Sequence, residues 1–381
     1  MKVEFFRHSL GEAEILSVTR VLKGVFLTAG SWTREFEESF AQYLNCNSVV
    51  GTWSCTAALF LCLKALGIGR GDEVITTPMT FVATSNAILE AGATPVFVDV
   101  EETTGNMDAT LIEDAISPRT RAIIPVHLYG HMCDMEQISH IARRHGLFLM
   151  EDAAHCIEGE RDGIRPGQLS DAACFSFYAT KNMTSGEGGA VATRHRSLAE
   201  KLIRMRLHGI DRDAAGRYGG KYRHWDMTSM GYKANMFDIQ AALLLPQLPR
   251  LEERLEKRRH IFEQYRSAFE STEGIDTPGI LPGTRHAHHL FTIWVDPDWR
   301  DRVIQKLEEN GIGVAVNYRP VHLLTYYRKT FGFKDGLYPK AEYIGRRTVS
   351  LPLYPDMTEE EVTAVIQAMD KALPGMGEAA L

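Results

Sequence analysis

From Val74 to Met150 the chain alternates short apolar runs with helical stretches, and this rhythm constrains the fold more than any other feature. Strand-like runs lie near Val74 to Thr76, Pro95 to Val98, Ala122 to Val126 and Leu147 to Met150. Between them, helical patterns lie near Ala83 to Glu90, Ala109 to Ile116 and Asp134 to Arg144. The alternation predicts an α/β domain whose mostly parallel sheet is covered by helices on both faces. Leu147-Phe148-Leu149-Met150 is continuous enough in apolar character for a strand buried on both sides. In open sheets of this kind, ligands sit just beyond the carboxyl ends of the strands.

A second pattern begins after Pro246 and Pro249. Leu248 to Ser271 is dense in charge (Leu251-Glu252-Glu253-Arg254-Leu255-Glu256-Lys257-Arg258-Arg259) and reads as a long, largely solvated helix leading into a second domain. The division is placed near Pro249, giving a large domain at 1–248 and a small one at 249–381. The small domain carries strand patterns near Leu290 to Val295 and Val314 to Asn317, and helices near Arg300 to Glu309 and Thr358 to Lys371. Thr358 with Glu361 fits a capping box at the start of the last helix. This smaller α/β layer is expected to pack on the large domain and close one wall of the cleft.

At 381 residues, 44% hydrophobic and 24% charged, the chain can build two domains and a full core. Its net charge of −7 argues against nucleic acid or an anionic membrane as main partner. No apolar run is long enough to span a bilayer, and charges within Met1 to Glu14 interrupt the apolar region of a signal peptide. A cytoplasmic protein is expected. Six cysteines, at 46, 55, 62, 133, 156 and 174, show no paired metal spacing and read as reduced small residues. The cluster His286, His288, His289 would need further ligands to hold a metal, and a loop or substrate-side role is preferred.

Candidate chemistry centres on Lys181, which closes the run Phe175-Ser176-Phe177-Tyr178-Ala179-Thr180-Lys181-Asn182 ahead of Gly186, Gly188 and Gly189. A lysine in apolar surroundings loses solvation of its charged form, so its pKa falls and it can form a Schiff base. A surface lysine past a buried strand would read the same on this segment alone. The glycines let backbone come close to a bound group. Glu151, Asp152 and His155 fall at the end of the 147–150 run. A carboxylate there could serve a sugar, a metal or a helix cap. Beside a Schiff-base lysine it suggests pyridoxal phosphate, whose ring nitrogen needs an acidic partner to stay protonated. A phosphate cradle is offered by Gly51-Thr52-Trp53-Ser54-Cys55-Thr56-Ala57-Ala58-Leu59, which follows Ser48-Val49-Val50 and opens a helix through Leu66. Ser54 or Thr56 could equally cap that helix.

Further ordered segments extend the pattern: Ala65-Leu66-Gly67-Ile68-Gly69-Arg70-Gly71-Asp72-Glu73-Val74-Ile75, Thr80-Phe81-Val82-Ala83-Thr84, Pro95-Val96-Phe97-Val98-Asp99, Pro125-Val126-His127-Leu128-Tyr129-Gly130, Gly186-Glu187-Gly188-Gly189, Gly231-Tyr232-Lys233-Ala234-Asn235 and Ser350-Leu351-Pro352-Leu353. With these the chain resembles, nearly end to end, the sugar aminotransferases of the DegT/DnrJ/EryC1/StrS type, which are fold type I pyridoxal-phosphate enzymes. The resemblance implies an aspartate aminotransferase-like large domain and a smaller C-terminal α/β domain.

It also implies roles. Lys181 would hold the cofactor as a Schiff base and, once released, move a proton between substrate and cofactor carbons. Asp152 would pair with the ring nitrogen. His155 would contact the cofactor or orient that carboxylate, with a structural histidine as the alternative. Phe81 would place an aromatic ring over the pyridine face, although a core phenylalanine looks the same in sequence. Thr56, the backbone of Ala57, and Ser176 would bind the phosphate. Asn235 resembles a residue contributed by the neighbouring subunit, implying a homodimer with shared active sites; alternatively it caps a helix from Met236 to Leu245. His322 is either a substrate contact or structural. No metal is implied.

The implied reaction is ping-pong transamination. L-glutamate converts pyridoxal 5'-phosphate to pyridoxamine 5'-phosphate, which then aminates a nucleotide-linked keto sugar. The product is an amino sugar for surface polysaccharide, glycan or secondary-metabolite biosynthesis. Leu207-His208-Gly209-Ile210-Asp211-Arg212-Asp213-Ala214 and Tyr318-Arg319-Pro320-Val321-His322 resemble the C4-aminating branch, pointing to a UDP-linked 4-keto sugar, with C3 amination as the alternative. Cys55 stands where many relatives have glycine, and Trp53 where they have a small polar residue; both bear on substrate preference. A sugar dehydratase of this fold would carry histidine in place of Lys181, and a non-catalytic sensor would be expected to lose Lys181 or Asp152. A nicotinamide oxidoreductase is disfavoured because Gly67-Ile68-Gly69-Arg70-Gly71 lacks the full fingerprint spacing and precedes a strand.

Overall fold

The apolar runs of the N-terminal half become one seven-stranded sheet. Its members are β1 (Ser48–Thr52), β2 (Glu73–Thr76), β3 (Thr94–Phe97), β4 (Thr120–Ile124), β5 (Phe148–Asp152), β7 (Ala172–Ser176) and β8 (Gly189–Thr193), with the two-residue β6 (Glu160–Arg161) paired elsewhere. The computed structural model describes residues 1–211 and 224–373. Strand order is β1-β8-β7-β5-β4-β2-β3. The pairings from β3 to β7 are parallel, and β8 runs antiparallel to both its neighbours. The carboxyl ends of the other strands and the start of β8 therefore share one edge.

Helices cover both faces. Cys55–Ala65 is apolar nearly all round, so it is buried nearly all round. With Ala83–Ala91 and Arg196–Met205 it builds the core on one face. On the other, Phe36 and Phe40 of Ser31–Leu44 pack on Phe175, and Ile138 and Ile141 of Met135–His145 pack beside them. Asp134 caps Met135–His145 by accepting from Gln137 N at 2.9 Å, and Gly146 ends it with φ of 62°. The helix expected over Ala109 to Ile116 is instead two tight turns, Ala109–Leu111 and Glu113–Ala115. Asp108 Oδ1 takes the Thr110 amide at 3.1 Å, and i to i+3 bonds close the rest.

The C-terminal unit is built on β9 (Ile275–Asp276), β11 (Phe291–Val295) and β12 (Thr348–Leu351), while β10 (Thr284–Arg285) pairs with β6. Helix Arg300–Glu309 lies where the sequence places it, and Glu359–Ala372 carries the expected Thr358–Glu361 capping box. Two expectations fail here. Val314 to Asn317 is no strand: it touches Ser350 through Ala315 alone, then turns away, and the Asn317 carbonyl accepts from Tyr129 and Thr348 side chains instead. The charged helix Leu251–Phe269 is not largely solvated, because Leu251, Arg254, Leu255, Arg258, Ile261, Phe262, Tyr265 and Phe269 form a buried stripe at helical spacing. Two inward positions are arginines, which disguised the stripe. We propose a domain division near Pro249, with Val3 crossing it to pack with Ile312 in the C-terminal core. Among the described residues no helix is long and apolar enough to cross a membrane, and all six cysteines are unpaired.

Candidate active site

Segments following β1, β2, β5 and β7 line one cleft of about 530 Å³, a volume suited to a small-molecule ligand. Strand alternation decides which carboxylate reaches it. Glu151 turns to the opposite face, where it meets His127 Nε2 at 2.7 Å and Gly167 N at 2.7 Å. Asp152 lines the cleft; Oδ2 accepts from Thr84 Oγ1 at 2.7 Å and Oδ1 from Ala154 N at 3.1 Å. Burial raises the pKa of Asp152, and these two hydrogen bonds and Lys181 only partly oppose it.

Lys181 lines the same cleft. Burial pulls its pKa down to about 8, against the opposing pull of Asp152 and Cys55. Its Nζ lies 3.5 Å from His289 Nε2. His155 also lines the cleft but does not hold the Asp152 carboxylate. Its Nδ1 accepts from Tyr129 N at 3.3 Å, and Nε2 meets Tyr318 Oη at 3.1 Å. Its ring lies 4.3 Å from that of His289, and burial pushes both imidazoles well below the ordinary range, so both are neutral.

Near the start of the Cys55–Ala65 helix, Thr56 and Ser176 line the cleft with Ser54 and Cys55. Ser54 is the helix cap: its Oγ accepts from Ala57 N at 3.2 Å, so the Ala57 amide already has a partner. The turn depends on Gly189, where a Cβ would lie 2.3 Å from the Ser54 carbonyl carbon and 2.4 Å from Cys55 N. The close approach that this glycine permits is thus to the cradle's own backbone. Phe81 is 59% exposed at the cleft, with its ring 6.0 Å from Tyr318, so it is no core residue. Of the two departures, Cys55 is in the wall, its thiol pKa raised well above normal by burial, while Trp53 is not among the lining residues.

Asn235 does not line the cleft of its own chain. It is buried, donates to Thr28 Oγ1 at 3.0 Å and Met236 O at 3.1 Å, and leaves Oδ1 without a partner. Nor does it cap the next helix, Asp238–Leu244, whose N-cap is Phe237. His322 does not line the cleft: it is fully buried, 3.0 Å from Glu342 and packed on Tyr338. The stretch 207–214 is described only to Asp211; Arg212, Asp213 and Ala214 lie outside the described residues. Among the described residues no three His, Cys, Asp or Glu are grouped to hold a metal.

Sequence reasoning singled out neither Thr84, which holds Asp152, nor Tyr318, and it saw His289 only as part of a cluster. Thr84 had a signal, lying one turn after Phe81 on a helix that starts at the strand edge. His289 had none, being 108 residues from Lys181.

Comparison with known proteins agrees with this geometry. The chain is 44% identical over 372 residues to the spore coat polysaccharide biosynthesis protein SpsC of Bacillus subtilis, covering 96% of each chain. Spr1654 of Streptococcus pneumoniae, solved in both PMP and PLP forms, superposes with a TM-score of 0.92 in the former at 32% identity, over 98% of this chain and all of that one. PseC of Helicobacter pylori, an aminotransferase involved in pseudoaminic acid biosynthesis, gives a TM-score of 0.90 at 28% identity, over 98% of this chain and 99% of that one. The family model for DegT/DnrJ/EryC1/StrS aminotransferases matches residues 8–370. With its strand-end lysine and aspartate in one cleft, the chain belongs to the DegT/DnrJ/EryC1/StrS family of pyridoxal-phosphate-dependent sugar aminotransferases.

Proposed function

We propose that this aminotransferase moves an amino group from L-glutamate to a UDP-linked 4-keto sugar, giving an amino sugar for a surface polysaccharide. The observation that carries the reading is the half-buried Lys181 in one cleft with the buried Asp152, each with its charged form disfavoured by desolvation. The residues fit the cofactor: a carboxylate short of a cationic partner, a capped helix start for the phosphate and an exposed aromatic ring share the cleft. When bound, pyridoxal phosphate supplies an aldehyde for the amine and a protonated ring that takes up the electron pair left on the substrate carbon.

Lys181, its amine neutral in a useful fraction near pH 8, would be the residue that holds the cofactor's aldehyde carbon and would serve as the acid–base group in the cleft. Asp152, held by Thr84 and Ala154, would be the carboxylate that keeps the ring nitrogen protonated. Thr56, Ser176 and the amides opening the Cys55–Ala65 helix would hold the phosphate. Phe81 offers an aromatic face, and His155 with Tyr318 forms a neutral wall.

Asn235 is proposed to serve the partner subunit's site. An apolar stretch close to it in the fold, including Val25 at 91% exposure with Phe26, Leu27 and Phe237, is the kind of surface a second copy would cover. A reducing compartment, the cytosol, suits the six unpaired cysteines. The polysaccharide role follows SpsC, and the C4 preference rests on the resemblance carried by the sequence at 207–214 and 318–322. Purified protein should be yellow, should bleach with L-glutamate, and should lose both properties in Lys181→Ala. Glutamate-loaded enzyme tested on nucleotide 3-keto and 4-keto sugars should act on UDP-4-keto sugars; inactivity on all of them would remove the substrate class.

A further inference from the structure

We propose that His289 is the partner of Lys181's free amine: His289 Nε2 accepts a hydrogen from Lys181 Nζ, and a chain of Asn182, Glu158 and Arg258 holds the imidazole in the tautomer able to do so. The inference rests on Lys181 being the lysine that bonds to the cofactor. Lys181 Nζ and His289 Nε2 are 3.5 Å apart, and on the far side of the ring His289 Nδ1 meets Asn182 Oδ1 at 3.1 Å.

The orientation of that amide is dictated by its surroundings. Asn182 Nδ2 already donates to Glu158 Oε2 at 2.8 Å and to Ala287 O at 2.9 Å. Both are acceptors only, so the oxygen of Asn182 must face the ring. An oxygen there requires the proton on His289 Nδ1, which leaves the Nε2 lone pair towards Lys181. Glu158 is anchored in turn by Arg258 Nη2 at 2.5 Å, with both side chains at most 2% exposed. The chain thus runs from the buried stripe of Leu251–Phe269 to the reacting nitrogen.

Around Lys181 the titratable groups are Asp152 at the end of β5, Cys55 at the start of its helix, and His155 and His289. His289 stays neutral because burial, then His155, Lys181 and Arg258, all disfavour its charged form. A neutral acceptor stabilises the ammonium where burial penalises it. It also gives the released amine one direction in which to point. Asn182, Glu158 and Arg258 act only through His289 and are positioning residues.

The test uses apoprotein, recording the rate of pyridoxal 5'-phosphate capture by absorbance across pH. Wild type should show a midpoint of about 8. His289→Phe, which keeps a ring but removes the acceptor, should lower the midpoint by about one unit. His289→Gln, which keeps an acceptor, should restore it. Asn182→Ala, which frees the tautomer, should shift it the same way by less. A wild-type midpoint in His289→Phe overturns the proposal; if that variant fails to fold by circular dichroism, an unchanged midpoint in Asn182→Ala does so. A wild-type protein that captures no aldehyde would instead sink the assignment of Lys181.

Discussion

Glu158 and Arg258 are among the most deeply buried charges described, and their side chains meet at 2.5 Å. Lys181, half-buried, is joined to that pair through His289 and Asn182, and the buried Asp152 lines the same cleft, yet no ion pair links the two. Burial therefore goes largely uncompensated in the second pair, lowering the pKa of Lys181 and raising that of Asp152. The difference separates two uses of a buried charge. One that supports the fold finds its counter-charge within the chain; the pair proposed for chemistry is left short of one.

The comparison is open to attack at each end. Arg258→Met leaves Glu158 buried without its cation, and should lower the stability to urea by about 3–5 kcal/mol. Combining it with Glu158→Leu should recover part of that loss, and a double variant as weak as the sum of its parts would deny that the two charges act as a pair. Asp152→Asn should behave in the opposite way. Steady-state kinetics should show kcat falling about a hundred- to thousandfold, as when a charge-stabilising group is lost, while the apoprotein is no less stable. The sign follows from linkage: burial raises the folded-state pKa of Asp152, so its contribution to stability falls as pH rises above the ordinary carboxylate range, and asparagine removes that dependence. An Asp152→Asn protein that unfolds as readily as Arg258→Met would erase the distinction.

The smallest effect concerns where the site is completed. If Asn235 serves the partner's cleft, mixing inactive Lys181→Ala with Asn235→Ala subunits and letting them exchange should restore about a quarter of wild-type activity, because half of the dimers are mixed and each holds one intact site. Recovery of nothing after exchange would return Asn235 to its own subunit.

Much of the frame was legible before any coordinates. The runs at Val74, Pro95, Ala122 and Leu147 are β2 to β5, and the 134–144 pattern is a helix capped by Asp134. Misreadings cluster where a neighbour overruled the local pattern. Ala109 to Ile116 has helical spacing but breaks into two turns under the Asp108 cap. Leu251–Phe269 looks solvated because charge is dense, yet Arg254 and Arg258 face inward. His322, left open between a substrate contact and a structural role, meets Glu342 twenty residues on at 3.0 Å, a contact its motif does not contain.

The sequence alone determined which residues stand at strand ends, since apolar runs of four or five residues and period-two alternation are local properties. It therefore put Lys181 and Asp152 at one edge of the sheet, where both line the cleft. Tertiary structure decided their condition: how deeply each is buried, that Asp152 is held by Thr84, and that His289 reaches Lys181 across 108 residues. Solvation and hydrogen-bond partners are sums over neighbours in space, and no window of sequence contains them.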